Sequence, residues 1–223
     1  MESSLPLPLE FYSQFNQDTF LEENVFRGFI NGIYMDVGAH DGVSINNTLF
    51  FEKFRNWTGV NIEPILSVYN ILINNRPRSL NINCAICNSE GQAEFLCNKG
   101  YTEMLSGLKN CYDQRHYNRL YRENATMNST TDTILVETKK IETICRDHDI
   151  KHIHYLSIDV EGAEFEVIKS INFDTVFIDV IGFENNYPDV GEQIIEYLIL
   201  KNYRVILKSS DIFMIHNKSM FNV

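Results

Sequence analysis

In "YMDVGAHDGVSINNT" (34–48) an apolar run closes on Asp36-Val37-Gly38 and turns through His40-Asp41-Gly42. Glycines after a strand-ending acid let the backbone bend sharply and leave room for a ligand. A second acid, Glu63, stops the next apolar run, 21 residues beyond Gly42. A carboxylate there can accept hydrogen bonds from both hydroxyls of a ribose, so turn and acid together point to an adenosine-bearing ligand. A dinucleotide wants G-x-G-x-x-G so that the backbone can approach a pyrophosphate. The string here is G-A-H-D-G, which lacks the later glycines in register and sets Asp41 where a diphosphate would be repelled. A ligand with a cationic or zwitterionic near end suits this turn, and S-adenosylmethionine combines adenosine, a sulfonium and an amino-acid tail. The candidate cofactor residues are Asp36, Gly38, His40, Gly42, Glu63 and, near the end of the third strand, Ala85. A plain strand-turn-helix connection competes for the turn taken alone, and Glu63 weighs against it.

A second group of acids lies in "YLSIDVEGAEFEVI" (155–168) and "GFENN" (182–186). Asp159 ends a strand, Glu161 and Gly162 form the following turn, and Glu184 ends the next strand. Such carboxylates can orient or deprotonate a hydroxyl beside the cofactor, so Asp159, Glu161 and Glu184 are the candidate catalytic residues. They could also hold Mg2+, although no spacing demands it. Glu164 has a sufficient reason of its own, since an acid in a first helical turn offsets the macrodipole. Ser106, Arg115 and His116, with Arg119, are candidate substrate residues in a polar stretch bearing Tyr and Arg, at 98–132, although a solvated surface stretch competes for this segment.

These residues need a scaffold that brings strand ends together. The pattern predicts a helix over 18–29 with Asp18 as its cap, a strand at "GIYMDVG", and a helix at "NNTLFFEKF" opened by an Asn cap. It continues with a strand at "TGVNIEP", a helix at "ILSVYNILINN", a third strand at "SLNINCAI" and a fourth at "GQAEFLC" that pairs locally. After 98–132 the alternation resumes: "TILVETKK", "IHYLSIDV" and "TVFIDVIGF" as strands, with "IETICRDHD", "EFEVIKSI" and "VGEQIIEYLILKN" as helices. "YRVILKS" and "IFMIHN" close as a hairpin-like pair. Alternating strands and helices predict an α/β fold whose mostly parallel sheet is covered on both faces. The last strand must run antiparallel, because so short a connection cannot make a parallel crossover. Ligands of such sheets sit beyond the carboxyl ends of the strands. A connection as long as 98–132 is functional or mobile, so the chain reads as one domain, 1–223, with an inserted acceptor or lid segment.

Composition narrows the partners. A net charge of −11 argues against binding a nucleic-acid backbone. No apolar run reaches the roughly 18–20 residues that span a bilayer, and the first residues lack the basic and apolar regions of a signal peptide. The five cysteines then read as reduced thiols of a cytoplasmic protein. Cys84 and Cys87 have C-x-x-C spacing, but no second pair matches it and zinc is disfavoured.

The residues also resemble a known family, the FkbM-type methyltransferases, which are S-adenosylmethionine-dependent O-methyltransferases. The resemblance rests on "YSQFNQD", "YMDVGAHDG", "NNTLFFEKFRNWTGVNIEP" (with Asn46 where Ser is usual), "NNR" and "YLSIDVEGAEFEVIKSI"; "FENNYP" and "NYRV" fit more loosely. It implies a Rossmann-like sandwich with a seven-stranded sheet, and methyl transfer to oxygen, commonly a hydroxyl of a sugar or natural product. Residues 98–132 match least, so acceptor choice is expected there. Two alternatives stay open on the sequence: a nicotinamide-dependent nucleotide-sugar oxidoreductase or epimerase, and a non-catalytic cofactor-binding subunit.

Overall fold

The computed structural model describes residues 9–223. The chain enters through a loop gathered by the buried Asp18, whose carboxylate accepts hydrogen bonds from the N–H groups of Tyr12 (2.6 Å) and Ser13 (3.2 Å). α1 (Gln17–Phe20) follows and continues as a π-helical stretch, Leu21–Phe26. Asp18 therefore lies inside the first turn and ties down the preceding loop. The N-cap position belongs to Asn16, in the left-handed region and without a side-chain cap.

β1 (Ile33–Val37), α2 (Leu49–Arg55), β2 (Thr58–Ile62) and α3 (Leu66–Asn75) form where the apolar pattern places them. The N-cap position of α2 is Thr48, without a side-chain cap, in place of the expected Asn; Asn46, two residues earlier, accepts from the N–H groups of Thr48 (3.0 Å) and Leu49 (2.8 Å). The expected third strand is two strands, β3 (Leu80–Ile82) and β4 (Ala85–Ile86), which join different sheets. Asn83 marks the break, where its amide donates to the backbone carbonyls of Glu63 (2.9 Å) and Pro64 (3.0 Å).

β5 (Gly91–Lys99) runs out to two 3-10 turns, Gly100–Leu105 and Lys109–Cys111, which flank the short β6 (Gly107–Leu108). α4 (Gln114–Met127) then leads back into β7 (Thr130–Lys139). β5 and β7 pair antiparallel from Gly91↔Thr138 to Lys99↔Thr130, so the excursion between them starts and ends at one place. The order of this second sheet is β4-β7-β5-β6. The chain closes with α5 (Ile141–Asp147), β8 (His152–Ile158), α6 (Glu164–Lys169), β9 (Phe177–Glu184), α7 (Pro188–Leu200), β10 (Tyr203–Lys208) and β11 (Asp211–His216).

The main sheet has the order β10-β11-β9-β8-β1-β2-β3 and is parallel except for β11, which runs antiparallel to both neighbours. This is the Rossmann-like sandwich expected of the sequence. One face packs an aliphatic core through Met35, Ile62, Leu156, Ile181 and Leu198; the other packs an aromatic one through Phe26, Phe50, Phe51, Trp57 and Tyr155. Chain order reverses between β1 and β8, so their carboxyl ends form the switch point where such sheets bind ligands.

Candidate active site

A cavity of about 730 Å³ opens at this switch point, within the roughly 300–1,000 Å³ typical of small-molecule sites. It takes in the ends of β1, β2, β8 and β9 together with one side of the 98–132 excursion.

Asp36 is buried in its wall, its Oδ2 accepting from the Asn46 amide (2.9 Å) and the Thr48 hydroxyl (2.8 Å). Behind it lies a fully buried Arg76. Its Nε donates to Glu52 (2.7 Å), Nη1 to the Gly42 carbonyl (3.0 Å) and Asn46 (3.1 Å), and Nη2 to Tyr34 (2.6 Å) and Thr48 (3.1 Å). One guanidinium thus ties the glycine turn to Asn46 and Thr48, the two residues that hold Asp36. Sequence reasoning reached Arg76 only through the "NNR" match; one arginine after a polar helix end gives no sign of burial.

The two glycines of the turn have different reasons. Gly38 lines the cavity at φ +88°, and a Cβ there would stand 1.8 Å from the Asp159 carbonyl oxygen. Gly42 does not line the cavity. A Cβ on it would meet Leu72 at 2.6 Å and Arg76 at 2.7 Å, so this glycine serves the packing of α3 against the turn. Ligand clearance, the reason expected of both, is the primary constraint at neither.

His40 and Glu63 face the cavity together. His40 adopts φ 50°, and neither ring nitrogen has a hydrogen-bond partner. Glu63 is buried, with one oxygen held by the Ile65 N–H at 2.7 Å. Burial pushes its carboxyl up to about 7, against the lowering effect of the Ile65 and His40 backbone. Ala85 also lines the cavity.

Asp159, Glu161 and Glu184 converge on the other side of the switch point, with carboxylate oxygens within 4.8 Å of one another. Asp159 is open to the cavity, while Glu161 is buried at φ 54°. Desolvation inside the cleft raises all three carboxyls above the ordinary range, and neighbouring acids raise them further. Glu164 turns away and accepts from the Gly162 N–H (2.9 Å), closing the loop after β8.

The four candidate substrate residues separate. Ser106 lines the cavity. His116 is fully buried behind Glu161, its Nδ1 3.6 Å from Oε2, with its ring tilted 52° against Tyr112 at a centroid distance of 4.2 Å. Arg115 lies outside the cavity, its guanidinium committed to Asp113 and Asp189 and lying over the Tyr187 ring. The excursion also brings Glu103, Arg119, Arg122, Glu123 and Thr126 to the wall. On α4 these last four follow i, i+3, i+4, i+7 spacing, a polar stripe that periodicity could have exposed. The wall as a whole carries seven carboxylates and two arginines.

A further cluster, His152, His154 and Asp179, lies at the opposite end of the sheet. His152 hydrogen-bonds Asp179 at 2.6 Å, and the Ile33 N–H donates to His154 Nδ1. Neutral His154 then keeps its proton on Nε2, so these groups serve as hydrogen-bond partners.

A Rossmann-like sandwich with an acidic switch-point cavity defines a class of enzymes that bind nucleoside-type cofactors. The methyltransferase FkbM domain model matches residues 36–205, and the chain belongs to that family. Membership implies S-adenosylmethionine as methyl donor and removes the nicotinamide reading. No curated protein sequence matches the chain. Among solved structures, it is similar to a methyltransferase FkbM from Methylobacillus flagellatus, at 12% identity and a TM-score of 0.53, over 83% of this chain and 44% of that one. The chain thus spans less than half of that protein. A precorrin-6y C5,15-methyltransferase from Geobacter metallireducens aligns at 10% identity and a TM-score of 0.44, over 89% and 85% of the two chains.

Proposed function

We propose that the chain is an S-adenosylmethionine-dependent O-methyltransferase acting on a hydroxyl of a sugar, glycan or related small molecule. One observation carries this reading: two kinds of acid share one cavity, Glu63 alone after β2 and the Asp159–Glu161–Glu184 group two and three strands away. At about 4.8 Å per strand the two lie on the order of 10 Å apart, enough to separate a ribose from a reacting centre.

The residues fit the cofactor. Glu63 is the ribose acceptor, and the unpartnered His40 ring with the Gly38 backbone faces the amino-acid tail. When bound, S-adenosylmethionine supplies a methyl group already activated by its sulfonium. What remains for the protein is orientation and proton handling. Asp159 faces the acceptor hydroxyl, with Glu161 and Glu184 beside it, and this group handles the hydroxyl's orientation and its proton. Residues 98–132 act as the acceptor lid, through Ser106, Arg119 and Arg122, while His116 packs behind Glu161. Five free cysteines suit a reducing, cytoplasmic setting.

Transfer of labelled methyl from S-adenosylmethionine across nucleotide sugars and free glycans tests the reading. It predicts a methyl ether whose formation is lost in Asp159→Asn while the circular dichroism is unchanged. Methylation confined to nitrogen or carbon acceptors, or undiminished turnover in Asp159→Asn, contradicts it.

A further inference from the structure

The acids that end β8 and β9 outnumber the basic groups set beside them. Asp159, Glu161 and Glu184 each offer an oxygen within 4.8 Å of the other two. Among the described residues, the one guanidinium or ammonium within 4.0 Å of any of them is Arg119, whose Nη1 stops 3.9 Å from Glu161 Oε2. Its Nε is engaged by Glu123 at 2.9 Å.

Two buried groups point to a missing partner. Glu161 is 7% exposed, and its Oε2 has no hydrogen-bond donor. A buried carboxyl oxygen without a partner is costly, and here it is held by a left-handed backbone, φ 54°, that non-glycine residues seldom adopt. Next to it stands His116, 0% exposed, with both ring nitrogens unpartnered and Nδ1 3.6 Å from the same oxygen. At that distance the ring makes no hydrogen bond to Glu161, so His116 does not satisfy the acid. The packing holds a bare oxygen in place and supplies no proton donor for it.

We infer that Asp159, Glu161 and Glu184 bind a hard divalent cation, Mg2+ or Mn2+, that holds the acceptor's hydroxyls. An all-oxygen carboxylate set selects hard cations over zinc or copper. Mg2+ keeps several coordination positions for water or substrate, and neighbouring hydroxyls of a sugar can occupy two of them. The three acids then act through the cation, which orients the hydroxyl and polarises its O–H bond. What the cation holds rests on the methyl-transfer reading; the cation site itself does not.

Mn2+ titration of the full chain, followed by electron paramagnetic resonance, tests the site without turnover. The expected result is one Mn2+ per chain, displaced by Mg2+, with affinity at least tenfold weaker in Asp159→Asn and in Glu184→Gln. Both variants should melt at or above the wild-type temperature in chelator, because each removes charge repulsion. Calorimetry with S-adenosylhomocysteine on the same samples separates the two claims: its binding to Glu184→Gln should match wild type, and its failure to bind wild type would strike the methyl-transfer reading alone. Absence of saturable Mn2+ binding up to about 1 mM, the weak end of protein divalent sites, overturns the inference, as does equal Mn2+ affinity in wild type and both variants.

Discussion

Glu63 places function and stability in conflict within one residue. Burial raises its carboxyl from the ordinary 4.5 to about 7, so in that range the folded protein keeps a proton that the unfolded chain has lost. Stability therefore falls as pH rises between those values, by on the order of 3 kcal/mol for a shift of this size. Glu63→Gln should be more stable than wild type at about pH 8 and lose that advantage toward about pH 5, as read by urea denaturation without ligand. Equal midpoints across the range would contradict this burial. Gly38 makes a different demand. Its Cβ position is 1.8 Å from a backbone oxygen of the neighbouring strand end, and backbone cannot move aside as a side chain can. Gly38→Val should cost on the order of 3 kcal/mol or more, or fail to fold; an unchanged denaturation midpoint would show that the β1–β8 junction yields.

Among the elements, those that build the main sheet were legible because each buries a face with a regular period. α4 was not, because His116 and Leu120 are its only buried positions in 14 residues, which leaves too faint an apolar stripe. The β3/β4 split was hidden for another reason: "SLNINCAI" is continuous in β propensity, and Asn83 breaks it through hydrogen bonds to a loop distant in sequence. The strand-end acids were legible, since their positions follow from where apolar runs stop. Arg76 and the distinct roles of Gly38 and Gly42 depend on tertiary neighbours and were not. At this scale α4 should govern the acceptor and leave the cofactor alone. Arg119→Ala should retain S-adenosylhomocysteine affinity within about twofold and lower kcat/KM by about tenfold to a hundredfold, as expected for a charge-assisted contact. Loss of cofactor affinity instead would place α4 on the wrong ligand.

Across the whole molecule, charge and fold act together. The chain carries −11 overall, and the cavity wall repeats that sign with seven carboxylates against two arginines. A cleft of one sign attracts counter-ions. S-adenosylmethionine carries one net positive charge and its demethylated product none, so the field favours donor over spent product. Raising ionic strength from about 0.01 to 0.15 M shortens the screening length from about 30 to 8 Å and should weaken S-adenosylmethionine binding more than S-adenosylhomocysteine binding; parallel salt dependences would contradict the field. Among the described residues no helix is long and apolar enough to cross a membrane; recognition is assigned to the acidic cavity. Its central assignment is that Glu63 holds the cofactor's ribose. Calorimetry of S-adenosylhomocysteine against wild type and Glu63→Ala tests this most directly: one-to-one binding to wild type, weakened by about 1–3 kcal/mol in the variant, is the predicted result, and no binding to wild type or equal affinity in both would contradict it.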